Sequence, residues 1–456
     1  MRITDHQGYV LSGASSSAVE AYEQAASAFQ LYRGDPMARL DEAIAAAPCF
    51  VMAHLLRAHL LALATEPACV PMARELLAAV REMQLDEREA SHAAVIDLVL
   101  RGEWSEAALA MDRHNAAYPR DIVALQAGHL IDFYRANARS LRDRIARVLP
   151  QWPADMPGRS IVLGMHAFGL EECGDYARAE ATGREALAHQ PLDCWAHHAV
   201  AHVMEMQGRA QDGVEWMETR EPHWSGEDNF FKVHNAWHGA LCHLDLGQTH
   251  AVLALYDGII RGGRSAVVLD MVDASALLWR LHLSGVDVGD RWQELAQAWD
   301  AHADGQLYPF NDWHGVMAYL GADRPHDVQR LRAALRAGGE TGGELARWRT
   351  QTGLDLVEGF AAFWHGDHGT AVQRLHHARH IANQFGGSHA QRDIIDWTLC
   401  EAALRGGQHG MAEALAHERL ALKPHSPVNM GLLRRARPVD TAAAPARPRR
   451  RPEPVH

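Results

Sequence analysis

The chain has 456 residues, 48% hydrophobic and 22% charged, with a formal net charge of −13, which is globular usage and excludes wholesale disorder or a collagen-like composition. Its length suits about three domains or one long repeat array, and with no run of 18 apolar residues no membrane span is expected. Two usages stand out: 30 His with 13 Trp, and a basic set of 44 in which only Lys232 and Lys423 are lysines.

Residues 1–19 form an N-terminal segment. MRITDHQGYVLSG carries Asp5 and no apolar h-region, so no secretion signal is expected and the cytoplasm is the expected compartment. The six cysteines (49, 69, 173, 194, 242 and 400) make no C-x-x-C, which speaks against a cysteine zinc cluster. From 20 to 430 apolar residues recur at i, i+3, i+4 and i+7, Ala is abundant and alternating β-branched runs are missing, so helix follows helix.

Within this span Gly is followed five residues on by Ala and twelve further on by Pro, at Gly102/Ala107/Pro119, Gly174/Ala179/Pro191 and Gly407/Ala412/Pro424. Partial copies begin at Gly208, Gly247 and Gly366, and the spacing approaches one tetratricopeptide unit. Gly permits the turn between two helices, Ala lets them approach, and Pro closes the second. No such unit buries its apolar face alone. The expected fold is therefore an all-α, right-handed tetratricopeptide-like solenoid of degenerate helix–turn–helix units.

Residues 431–456 read as a disordered tail rich in Arg, Pro and Ala. From Arg434 onward seven Arg against Asp440 and Glu453 give it +5, leaving −18 on the body, which would repel a phosphate backbone; nucleic acid is not an expected partner.

Longer strings are more specific: His198-Ala-Val-Ala-His202 through Gly208, Asn229 through His238, Asp273 through Leu281, Asn311-Asp312-Trp-His314, and Gly386-Gly387-Ser388-His389 through Asp393. In these the chain, from about residue 5 to about 425, resembles the tetratricopeptide repeat protein 38 family. The resemblance implies an all-helical solenoid of degenerate repeats and brings no established activity.

In repeats of this kind, positions 2, 5, 9, 12 and 13 of the first helix face the concave groove, with the turn Gly near 15. That register sends Trp195, His198, His202, Glu205 and Met206 into the groove from one unit, and His234, Trp237 and Asp245 from the next, with His238 on the groove's edge. Glu171 and Glu172 take positions 12 and 13 of the preceding unit.

His198 with His202, and His234 with His238, are i, i+4 pairs, each on one helical face. Together they are the candidate ligands of a divalent transition metal, with His166, His314 or Glu205 to complete the shell. Without H-E-x-x-H there is no built-in metalloprotease base. Trp195 and Trp237 are candidate walls against a ligand. Asp312 is either the cap of the helix whose turn is Gly321 or, with His314, a functional pair. Arg392 follows a Gly-Gly-Ser element that either caps a helix or meets an anionic ligand.

Two functions follow. In the first the groove binds a small molecule, a metal ion or a short peptide. In the second the protein is a small-molecule enzyme, metal-dependent or cofactor-free, using His acid/base chemistry. A homo-oligomer is compatible with either.

Overall fold

The architecture follows from how helix pairs stack in a computed structural model describing residues 3–437. Every regular element among the described residues is helical, and β pairing is confined to two isolated bridges, Thr4 with Val10 and Arg33 with Asn229. The helices run in antiparallel pairs such as Glu87–Leu100 with Trp104–Ala117, Arg159–Glu172 with Tyr176–His189, Cys194–Met206 with Ala210–Trp224, and His389–Arg405 with His409–Leu422. Gly102, Gly174, Gly208 and Gly407 hold φ of +70° to +78° between the partners, a conformation that favours glycine. Pro119, Pro191 and Pro424 fall just past the second helices. The chain is an all-α helical-repeat solenoid.

The array closes on itself. Asn311 Nδ2 donates to the Thr65 carbonyl at 3.0 Å, Tyr308 Oη donates to the Tyr134 carbonyl at 2.9 Å, and Glu344 accepts from the Ser105 hydroxyl at 2.6 Å. These links join segments more than 170 residues apart in sequence, and His198, His202 and His238, expected in or at the edge of a groove, are buried.

Three boundaries differ from the sequence reading. The first helix starts at Ser16, because the Ser15 hydroxyl caps it by accepting from the Ala18 amide. The last helix, Pro427–Ala436, runs past residue 430, because Leu432 and Ala436, four apart, bury on one face. The rest of the expected tail, 438–456, lies outside the described residues. Between Pro309–Gly321 and its partner helix the left-handed turn residue is Asp323, φ +53°, and Gly321 stays helical against the Trp292 ring.

Candidate metal centre

Helices Cys194–Met206 and Lys232–Asp245 pack side by side and bring the two histidine pairs together. One nitrogen from each of His198, His202, His234 and His238 lies within 4.8 Å of the other three. His234 Nε2 is 3.1 Å from His198 Nε2 and 3.3 Å from His238 Nε2. His198, His202 and His238 are buried, and only His234 keeps some exposure, 13% of its side chain.

Three carboxylates surround the rings. Asp273 Oδ2 lies 2.7 Å from His234 Nδ1, Glu205 Oε2 lies 3.1 Å from His238 Nδ1, and Glu171 Oε2 lies 3.3 Å from His202 Nδ1. These contacts assign the tautomers, because a ring nitrogen facing a carboxylate carries the proton. His234 and His238 therefore donate from Nδ1, and their two Nε2 lone pairs face each other at 3.3 Å. Two lone pairs at that distance repel unless a cation lies between them. Burial, then the neighbouring imidazoles, holds His238 and His198 well below the ordinary histidine range, which disfavours a second proton on either of these two rings. Neutral imidazoles are metal ligands. A tetrahedral ion with metal–nitrogen bonds of 2.0–2.1 Å needs ligand edges of ~3.3–3.4 Å, and a cis-octahedral pair needs ~2.9 Å; the two His234 contacts, 3.1 and 3.3 Å, fall between these values.

Charge points the same way. Lys423 Nζ meets Glu205 Oε1 at 3.0 Å and, with His238 and against burial, holds that carboxyl well below its usual range. Glu172 accepts from the His389 amide at 2.8 Å and has Arg392 Nη2 at 3.5 Å. Glu171 and Asp273 have no Lys or Arg partner among the described residues, and Glu171 Oε1 and Asp273 Oδ1 are buried without a hydrogen bond. Burial pushes the Glu171 carboxyl up to about 7. Against burial, Glu171 with Glu205 and Glu172 raises His202 above the ordinary histidine range, so the carboxylate charge left for a bound ion to offset is chiefly that of Asp273.

The other candidate residues distribute around this centre or away from it. Trp195 lies against His198, ring centroids 4.9 Å apart, and stacks on Tyr32 at 5.7 Å, which puts it on a cavity wall. Trp237 is not a wall: it is fully buried behind His234, stacked at 5.4 Å, with the Arg280 guanidinium 5.3 Å from its ring centroid. His238, expected at the edge, is central, because the close helix packing turns it inward. His166 lines a surface hollow with Arg142 and Arg178 and does not join the cluster. Asp312 caps no helix, since the N-cap of Pro309–Gly321 is Tyr308; its Oδ1 accepts from the Gly305 amide at 2.8 Å, fastening the preceding loop, and burial pushes it up to about 7. His314 meets the Phe310 carbonyl through Nδ1 at 2.8 Å and is packed on Phe310 and Trp313, apart from the four-histidine set. Arg392 donates to the carbonyls of Gly386 and Gly387, and Ser388 with Gln391 forms the capping box of helix His389–Arg405.

Sequence reasoning did not assign Asp273 or Lys423 to the site. Asp273 stood in a string singled out only for the resemblance, and the rarity of lysine was the one signal for Lys423. A second imidazole cluster has the opposite character. Asp121 Oδ2 accepts from Arg88 at 2.7 Å, His92 at 3.0 Å and His114 at 3.4 Å, while His59 donates to His92 Nδ1 at 3.0 Å. Every facing pair there is a donor with an acceptor, and Arg88 already supplies the cation.

No family model matches the chain. Among solved structures it is similar to a chain of the APC/C hetero-tetramer Cut9–Hcn1, at TM-score 0.43 and 14% identity over 92% of this chain and 76% of that one. It is also similar to human IFIT1 in its dimer with m7Gppp-AAAA, at TM-score 0.41 and 12% identity over 93% of this chain and 95% of that one. The class defined by the chain's own helix pairs and turn glycines is a tetratricopeptide-like helical-repeat protein. Among the described residues no helix is long and apolar enough to cross a membrane.

Proposed function

We propose that this helical-repeat protein binds one divalent transition-metal ion through the imidazoles of His198, His202, His234 and His238. The observation that carries the reading is the pair of facing lone pairs on His234 and His238, fixed by Asp273 and Glu205 behind them. Carboxylates that orient metal-bound histidines in this way also raise their basicity. An all-imidazole set suits zinc, copper, nickel or iron rather than calcium or magnesium. The longer sequence strings support placing the chain with the tetratricopeptide repeat protein 38 family.

Elemental analysis of protein purified without a His tag or chelator tests the reading, with about one equivalent of metal expected. Less than about 0.1 equivalent, with no uptake of added zinc, copper, nickel, cobalt or iron, overturns it. His198→Ala and His238→Ala should each lose stoichiometric metal while the helical circular dichroism remains.

One observation favours a second reading, catalysis on a small molecule. His234, the one partly exposed ring of the four, also lines a cavity large enough for a substrate.

A further inference from the structure

The cavity beside His234 has a volume of about 460 Å³, within the range of sites for drug-sized ligands. Its walls are aromatic and aliphatic: Phe29, Tyr32, Leu60, Phe133, Trp195 and Phe231 are representative. They come from the first helices, from Ile122–Tyr134, from Cys194–Met206 and from the segment ahead of Lys232–Asp245, so the closure of the solenoid creates the space. Phe230, 49% exposed, marks its mouth.

Its polar lining has one sign. Asp35, Glu66 and Asp270 are the charged side chains, joined by His234, and neither Lys nor Arg contributes. Asp35 is committed to capping helix Pro36–Ala46, and Glu66 accepts from the Val268 amide at 3.2 Å. Asp270 stands one helical turn before Asp273, the carboxylate behind His234, and so flanks the metal centre on the cavity side. An acid or phosphate entering here would lose its hydration and face three carboxylates with no Lys or Arg on the cavity wall to pair with. An aromatic or hydrocarbon body loses nothing by entering, and a neutral or amine-bearing head can meet Asp270. An extended peptide does not fit, because its backbone amides and carbonyls would be buried against apolar walls without partners.

We infer that this cavity is the binding site for a largely apolar small molecule, uncharged or carrying an amine and without an acid group, whose polar end is held between Asp270 and His234. The inference rests on the metal reading only in making the four-histidine centre the group that the ligand's polar end approaches; the cavity and its charge stand without it.

A matched pair of fluorescent probes tests the inference. N-phenyl-1-naphthylamine is neutral, and 8-anilino-1-naphthalenesulfonate carries the same ring system with an added sulfonate. Titrated into the purified full chain, the neutral probe should show saturable one-to-one binding, at least ten times tighter than the sulfonate. Leu60→Trp, which fills the cavity, should weaken the neutral probe at least tenfold. Phe230→Ala, at the exposed mouth where folding is not at stake, should weaken it several-fold. Asp270→Asn should narrow the gap between the probes. Equal affinity for both probes, no saturable binding of the neutral one, or binding indifferent to both Leu60→Trp and Phe230→Ala overturns the inference. Metal content measured on the same samples reports separately on the four-histidine site, so loss of one reading is not mistaken for loss of the other.

Discussion

His238 Nδ1 and Glu205 Oε2 lie 3.1 Å apart across the interface between two neighbouring helix pairs, and that contact turns the other ring nitrogen toward His234. Glu205 is in turn held by Lys423, from a helix pair more than two hundred residues away in sequence. Orientation of the cluster is thus a product of the closed solenoid. Glu205→Gln keeps the size of the side chain but weakens the acceptor and leaves Lys423 without its counter-charge. Metal affinity should fall ~10–100-fold, the usual cost of an outer carboxylate, as measured by competition with a chromophoric chelator. Affinity equal to the parent protein would show that Glu205 does not orient His238.

The Arg88–Asp121 network should behave in the opposite way. Against burial, His92, His114 and Arg88 together hold the Asp121 carboxyl well below its usual range, and Asp121 also caps helix Ile122–Tyr134 by accepting from the Ala124 amide at 3.1 Å. Asp121→Ala strands a buried guanidinium and removes the cap, so it should cost ~3–5 kcal/mol of stability. Metal content should not change. Chemical denaturation paired with elemental analysis checks both halves, and a loss of metal in a folded variant would assign this cluster a role that its hydrogen bonding does not suggest.

The fold was legible because its signals are local. Gly102, Gly174 and Gly407 with their Ala and Pro partners mark the turn, the close approach and the end of each helix pair within eighteen residues, and the structure has a helix pair at each. The i, i+4 spacing of His198/His202 and His234/His238 is equally local and named the four rings that the structure brings together. What could not be read was whatever depends on closure. Asp273, Lys423 and the walls of the apolar cavity meet the site across long stretches of chain, and no periodicity records which distant units touch. Trp237 shows the same limit at one residue: its register faces the groove, but it is fully buried and stacked behind His234. Asp312 could be read from its position either as a cap or as half of a functional pair, and the donor it accepts from, the Gly305 amide, lies in the preceding loop, where helix spacing gives no sign of it.

Gly321 and Gly247 separate two reasons for glycine. Gly321 is helical, where Ala is ordinarily preferred, but a Cβ there would sit 2.2–2.5 Å from ring atoms of the buried Trp292. Gly247 has φ +71° with open space around it. Gly247→Ala should cost ~1–2 kcal/mol from its left-handed backbone alone. Gly321→Ala must displace an indole and should cost more, ~3 kcal/mol or above. Denaturation midpoints of the two variants check the order, and a Gly321→Ala protein as stable as the parent would refute the tight contact.

His129 gives the sharpest pH signature. It is buried against Phe168 and Trp195, and neither ring nitrogen has a hydrogen-bond partner. Burial, with a smaller contribution from Arg144, pushes its pKa down to about 3 from an ordinary value of 6.5. Below about pH 6.5 the unfolded chain takes up a proton that the native ring refuses, so the unfolded state binds more protons and stability rises with pH across that interval. The stability tied to this ring is complete above about pH 6.5 and is lost as pH falls toward 3, at up to ~1.4 kcal/mol per pH unit. His129→Leu removes that proton uptake and the two unpaired polar atoms. The variant should be more stable than the parent by ~1–2 kcal/mol at pH 7. Its stability should also decline less steeply between pH 6 and pH 4, by about one proton's worth. Urea midpoints at pH 4, 5, 6 and 7 measure both effects; an unchanged acid slope would mean that the native ring is protonated through a partner that its surroundings do not supply.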